Sequence, residues 1–338
     1  MDKKSVSFLV LGLVVGCVLT AGVFSLMVGK GGSSDGRQKV VLKLAHSLPA
    51  AAPVHKAMVY MSELAAEKSS GLIDIQVFPN GQLGSETETI EQLQRGVLAM
   101  VKSSTAPMEA FIPEMAVFSV PYLFRDSDQY WKVLEGEIGK RILLQGTNVG
   151  IRGLCYYDSG ARSFYTVDKP VLSPADLKGM KIRVMSSKTA MDMIEVLGGS
   201  PTPIPFGELY TALQQSMVDG AENNPPSMYD TRHWEVAKYY SIDEHARIPD
   251  IVLFSQKIWE TLSPQIQTWI QEAADESVIF QKRIWKEYVE ECLVNLEKEG
   301  VSIYYPEKAP FQNLAKGMYS NFDGTPVEAL IKEIQAVD

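Results

Sequence analysis

Beyond residue 37 the apolar positions fall into two rhythms that alternate along the chain. In KVVLKLAHSL, Val40, Leu42 and Leu44 recur at every second residue and share one face of a strand that ends at His46. A helix follows, opened by Pro53 and closed by Gly71, and then the strand LIDIQVF and the turn PNGQLG. Ser85 and Glu88 form a capping box that starts a second helix, through about Arg95. VLAMVKSS is strand-like and ends at Lys102 to Ser104. Further units begin near SGARSFYT: Ser173 with Asp176 is an N-cap pattern, and Gly179 releases the chain into a strand through Arg183. A helix from about Thr189 to Leu197, the turn GGSPTPIPFG, the helix ELYTALQQSMVDG and the strand closed by AENNPPS complete the set. IPDIVLFS reads as a strand returning to the first sheet. After Pro264 no Gly or Pro interrupts a helical apolar period until Gly300. At 1.5 Å per residue such a helix reaches roughly 50 Å, long enough to brace two domains.

Strand alternating with helix predicts an α/β fold with largely parallel sheets, in two lobes joined by more than one crossing of the chain. The boundaries assign residues 37–160 with 249–288 to lobe I and 161–248 with 289–338 to lobe II, after an N-terminal segment, 1–36. The 338 residues, 46% hydrophobic and 22% charged, suffice for two such cores. A net charge of −9 argues against a nucleic-acid surface, which needs clustered cations. The N-terminal segment carries Lys3 and Lys4, an apolar run from Val6 to Val28 and a Gly/Ser linker, the pattern of an export signal. The run has bilayer-spanning length and no clean cleavage site after it, so an uncleaved membrane anchor is the first reading. A cleaved signal and a lipoprotein modified at Cys17 are the alternatives, and all of these put the body outside the cytoplasm. Cys155 and Cys292 are too few to define a disulfide framework and read as buried free thiols.

His46, His55, His233 and His245 include no pair at metal-ligand spacing, and there is no HExxH, CxxC, Walker loop, GxGxxG after a strand or GxSxG. No metal, cofactor or catalytic residue is therefore expected. Polar residues do fall where strands end: His46, Lys102, Arg162, Arg183, Asn223 and Asn224. In open α/β sheets a ligand binds in the crevice beyond the carboxyl ends of the strands. On its own strand Arg183 alternates with Ile182 and Val184, which by itself reads as a charge facing water. Glu86 suits a helix cap as well as a ligand. Lys102 suits a pocket with an anionic partner, His46 a pocket donor or a core histidine, and His55 the surface. Asn224, beside Pro225, fits a turn or a rim donor; Phe206 fits a sugar face or the core; His245, in DEH, fits a site or a solvated loop.

Long ordered motifs, FPNGQLGSETETIEQLQRG, SVPYLF, ARSFYT, DLKGMKIRVMSS, LGGSPTPIPFGELYTALQQSMVDGAENNPPS and KYYSIDEH, resemble the solute-binding proteins of TRAP (tripartite ATP-independent periplasmic) transporters from about Val40 onward. The resemblance implies a two-lobed periplasmic-binding-protein-like fold with a ligand cleft between the lobes. It implies that Arg183 grips a ligand carboxylate, with Arg162 and Asn223 completing the grip, and that a membrane permease receives the ligand. KIRVM, PFGELYTALQQ and DGAENNPPS look most like the sugar-acid binders, and a hexuronate such as glucuronate or galacturonate is expected. Glu86, Lys102, Asn224 and His46 around one arginine would supply donors and acceptors for its hydroxyls. A C4-dicarboxylate is the alternative ligand. A lyase of sugar acids, or a sensor serving a receptor kinase, are the alternatives from other classes.

Overall fold

The computed structural model describes residues 39–338; the anchor, signal and lipid readings of residues 1–36 lie outside the described residues. The strands are β1 (Val40–Ala45), β2 (Ile73–Phe78), β3 (Met100–Ser104), β4 (Ile151–Tyr157), β5 (Arg162–Thr166), β6 (Lys181–Val184), β7 (Ser200–Pro203), β8 (Gly220–Asn223), β9 (Tyr239–Ala246), β10 (Asp250–Ser255) and β11 (Ser302–Tyr304). They form a five-stranded sheet in the order β2-β1-β3-β10-β4 and a six-stranded sheet in the order β11-β9-β5-β8-β6-β7. Among the helices are α1 (Pro53–Lys68), α2 (Glu86–Arg95), α3 (Lys188–Val196), α4 (Pro225–Asp230), α5 (Pro264–Lys298) and α6 (Pro326–Gln335).

The two-lobed α/β architecture matches the expectation, while the largely parallel sheets do not. β1 runs parallel to β2 and β3, but β10 is antiparallel to both β3 and β4. In the second sheet β6 is parallel to β7 and β8, and β5 is antiparallel to β8 and β9. The cause is the way the chain crosses. Strands β1, β2 and β3 end at the space between the sheets, whereas β5 and β10 begin there, immediately after residues 158–161 and 247–249 carry the chain from one lobe to the other. A strand that leaves a boundary runs opposite to those that arrive at it.

Sequence signals terminate elements where expected. Ser85 accepts from the Glu88 backbone N–H while the Glu88 carboxylate accepts from Ser85 N at 2.8 Å, and Gly96 closes α2 at φ +81°, a conformation that suits glycine. Helix α5 buries Ile270, Ala273, Ala274, Trp285 and Leu296 along one stripe. Ile270 to Trp285 pack with α1 and the first sheet, and Leu296 packs with Tyr165 and Leu213 under the second, so one helix is anchored in both cores. The last helix, α6, buries Val327, Leu330, Ile331 and Ile334 in the first-lobe core, so the span 289–338, assigned whole to the second lobe by sequence, is divided between the two. Cys155 and Cys292 are buried free thiols, as expected from their apolar surroundings.

Candidate ligand-binding cleft

Between the sheets lies a cleft of about 610 Å³ counting its mouth, a size suited to a small molecule. Lys102, Glu86, Asp250 and Trp285 line it from the first lobe and Arg162, Arg183, Phe206, Asn223 and Asn224 from the second. Arg183 does not face water. Ile182 and Val184 pack into one second-lobe core, while Arg183 lies on the opposite face of β6 beside Ala221, where Tyr165, Ile204 and Leu209 build a second core of the same lobe, leaving Arg183 1% exposed. Its Nε donates to Ile204 O at 2.8 Å, and its guanidinium lies 5.8 Å from the centre of the Phe206 ring. Nη1 is buried and has no hydrogen-bond partner among the described residues. Behind it the Tyr165 hydroxyl meets His233 Nδ1 at 2.9 Å; burial, then the charge of Arg183, pushes His233 down to about 3, so the imidazole is neutral. Burial also lowers the pKa of Arg183 itself, the mark of a cation lacking compensation.

Arg162 is in the opposite condition. Strands β5 and β8 are antiparallel neighbours, which puts Glu222 beside it. Its Nε donates to Glu222 Oε2 at 2.5 Å and Nη2 to Oε1 at 2.8 Å, a bidentate pair, and Nη1 donates to Asn223 Oδ1 at 2.8 Å. One N–H of Nη1 remains for the cleft. Asn223 Oδ1 also accepts from Asn224 N, so its amide is fixed with the NH2 group uncommitted among the described residues. Asn224 is committed to structure: Oδ1 caps α4 by accepting from Ser227 N, and Nδ2 donates to Ser159 O. Lys102 is 3% exposed and pairs with Asp250 Oδ2 at 2.8 Å. Burial, only partly offset by Lys102, pushes Asp250 up to about 6. Glu86 does not form the capping box of α2; its Oε1 accepts from Ser104 N at 3.0 Å and ties α2 to the end of β3 at the cleft wall.

Two expected site residues lie behind the lining rather than in it. His46 is 2% exposed; its Nδ1 accepts from Leu48 N, so Nε2 carries the proton and donates to His55 Nδ1 at 2.9 Å. Burial, with Lys102 and His55 nearby, pushes His46 down to about 3. His55, expected on the surface, is the half-buried partner of that pair. His245 is fully buried, with Nδ1 3.0 Å from Asp243 Oδ2 and Nε2 3.3 Å from Glu222 Oε2, so both nitrogens donate. Burial opposes its charge, but Asp243 and Glu222 outweigh burial and push it up to about 9. Burial would likewise raise Glu222, yet Arg162 and His245 bring it down to about 2. Asp243, His245, Glu222, Arg162 and Asn223 thus form a charged chain from the core to the cleft. Glu222 and Asp250 were not among the residues singled out by sequence.

The folded-state pKa of His245 stands above its unfolded value near 6.5, so its stabilising effect is complete below that pH and lost as pH rises through about 9. Linkage gives a loss on the order of 2 to 3 kcal/mol between pH 7 and pH 10. Thermal melts across that range should fall more steeply for the native protein than for His245→Gln; parallel curves would mean that the imidazole is not charged.

A family model for bacterial extracellular solute-binding proteins, family 7, matches residues 44–325. Three solved structures of TRAP periplasmic solute-binding proteins are similar to this chain. The one from Bradyrhizobium sp. BTAi1, in complex with α/β-D-galacturonate, is 42% identical with a TM-score of 0.86, over 88% of this chain and 99% of that one. The one from Xanthobacter autotrophicus Py2, with bound β-D-galacturonate, is 38% identical with a TM-score of 0.85, over 88% and 100%. The one from Roseobacter denitrificans, with bound β-D-glucuronate, is 37% identical with a TM-score of 0.86, over 88% and 100%.

Proposed function

The chain belongs to family 7 of the bacterial extracellular solute-binding proteins, the solute receptors of TRAP transporters, and on that premise we propose that it captures a hexuronate, glucuronate or galacturonate, and delivers it to a membrane permease. The observation that carries this reading is the state of Arg183: buried, uncompensated, with an unpartnered Nη1 at the cleft. A carboxylate arriving there neutralises the charge and accepts the free N–H groups, so binding removes a cost that the ligand-free protein bears. The spare N–H of Arg162 and the NH2 of Asn223 reach the same space and complete the grip. Lys102, Asp250 and Glu86 supply donors and acceptors for ring hydroxyls, and Phe206 offers an apolar face. His46 and His245 serve from behind, the first through the β1 rim and the second by holding Glu222 against Arg162. The uronates bound by similar proteins support the ligand class.

The protein works outside the cytoplasm, in the periplasm on this reading, and does not turn its ligand over. No helix among the described residues is long and apolar enough to cross a membrane; a membrane tether rests on the run Val6 to Val28 alone.

A thermal-shift series tests the reading. At 100 times Kd a ligand that binds only the native state adds about 2.7 kcal/mol, which for a chain of this size raises Tm by several degrees, at about 2–4 °C per kcal/mol. Glucuronate or galacturonate should give that shift and glucose or galactose none, with the acid recovered unchanged after incubation. A shift from the parent sugar equal to that from the acid, or appearance of a product, would contradict it.

A further inference from the structure

Every charged side chain lining the cleft can be assigned a partner or a lack of one. The charge of Arg162 is balanced by Glu222 and that of Lys102 by Asp250, while Arg183 has no carboxylate within salt-bridge distance among the described residues. The lining also carries Glu86 and Asp230, neither in an ion pair with a cleft cation; Asp230 accepts from the Tyr288 hydroxyl and Glu86 from Ser104 N. The cleft therefore has one cation to spare and anions in excess.

We infer that the cleft accepts sugar acids with a single carboxylate and rejects hexarates, in which both ends of the six-carbon chain are carboxylates, and that Asp250 enforces the choice by holding Lys102. The inference rests on Arg183 being the carboxylate anchor. With one end of a hexarate on Arg183, the other end has no free cation to meet, because Lys102 is already paired with Asp250 and the remaining unpaired charges of the lining are the carboxylates of Glu86 and Asp230. A carboxylate brought out of water against like charge, without a free cation, is strongly disfavoured. A hydroxyl at the same place is matched, because the Lys102 ammonium retains donors and Asp250 retains an acceptor oxygen beside it. The Lys102–Asp250 pair thus reads a neutral polar end as the counterpart to the anionic end read by Arg183. The same excess of anions disfavours a C4-dicarboxylate.

Calorimetric titration at neutral pH with galacturonate, galactarate, glucuronate and glucarate tests this on the native protein, Asp250→Asn and Glu86→Gln. The native protein should prefer the uronate over the corresponding hexarate by about 100-fold or more. Asp250→Asn removes an anion and frees Lys102 as a second cation, so hexarate affinity should rise in absolute terms and the preference should shrink by about 10-fold or more. Adding Lys102→Met to Asp250→Asn should restore the rejection, because the gain needs the lysine. Burial already disfavours the charged form of Asp250, which makes the neutral amide compatible with the fold. Should the variant still fail to fold, Glu86→Gln, which keeps an acceptor for Ser104 N, should by itself narrow the preference. Equal binding of uronate and hexarate by the native protein, or an unchanged preference in folded Asp250→Asn, overturns the inference while leaving the uronate reading intact. Binding of neither acid overturns the uronate reading and the inference with it.

Discussion

Arg183→Ala should lose hexuronate affinity by roughly 30-fold to several-thousand-fold, while the ligand-free protein melts close to the native temperature. The two halves of this result come from one fact. In the ligand-free protein the guanidinium is buried without a carboxylate, a cost to the fold, so alanine relieves that cost while forfeiting the packing of the side chain and the hydrogen bond from Nε to Ile204 O, and the two offset. In the complex the same group faces a desolvated carboxylate, and truncating one partner of such a pair costs about 2–5 kcal/mol. Arg183→Lys keeps the charge but not the planar fork, and its affinity should fall between the two. Titration with glucuronate and galacturonate, beside melts without ligand, reads both halves. Native affinity in Arg183→Ala, or a collapse in stability with no separate effect on binding, would show that the residue serves the fold.

Glu222→Ala should do the reverse and act first on stability. Glu222 is 1% exposed and holds two buried cations, Arg162 by a bidentate pair and His245 through Nε2. Removing one member of a buried pair leaves the other charge uncompensated, at about 3–5 kcal/mol. That corresponds to a fall in Tm on the order of 10 °C. Glu222→Gln retains one acceptor for Arg162 and should fall less. The Arg162 guanidinium is also positioned by this pair, so whatever protein remains folded should bind hexuronate more weakly. A ligand-free melt within about 0.5 kcal/mol of native would place the pair among ion pairs without net effect on the fold.

Much of the fold was legible because it is local. Alternating strand and helix periods, the Ser85 capping box, Gly96 after α2 and the uninterrupted run after Pro264 each have a mechanism that acts within a few residues. What was not legible depends on partners distant in sequence. The direction of β10 follows from where the chain re-enters the first lobe, which no periodicity encodes. Arg183 carries the alternation of a solvent-facing strand residue, and only Tyr165, Ile204 and Phe206, brought in from other strands and turns of the same lobe, make that face a buried cleft wall; the motif resemblance, not the pattern, pointed there. Asp250 opens a strand that reads as plain core, and its meaning appears when β10 lies antiparallel to β3 with Lys102 alongside. Glu222 lay inside a motif that drew attention to Asn223 and Asn224. Its role appears only when β8 lies one strand away from β9, with β5 between them, and His245 Nε2 reaches its carboxylate. His46 was placed at a strand end correctly, but its ring is turned to His55, a contact between a strand end and the following helix that depends on the turn between them.

A crystal structure of the protein with glucuronate or galacturonate shows whether Arg183 holds the ligand's carboxylate. Both carboxylate oxygens should lie within about 2.7–3.1 Å of Arg183 nitrogens, Nη1 among them. The spare N–H of Arg162 and the Asn223 amide should meet the same group, and the far end of the sugar should reach Lys102 and Asp250. A carboxylate bound to Lys102 with Asp250 displaced, and Arg183 left facing hydroxyls or water, would contradict that role.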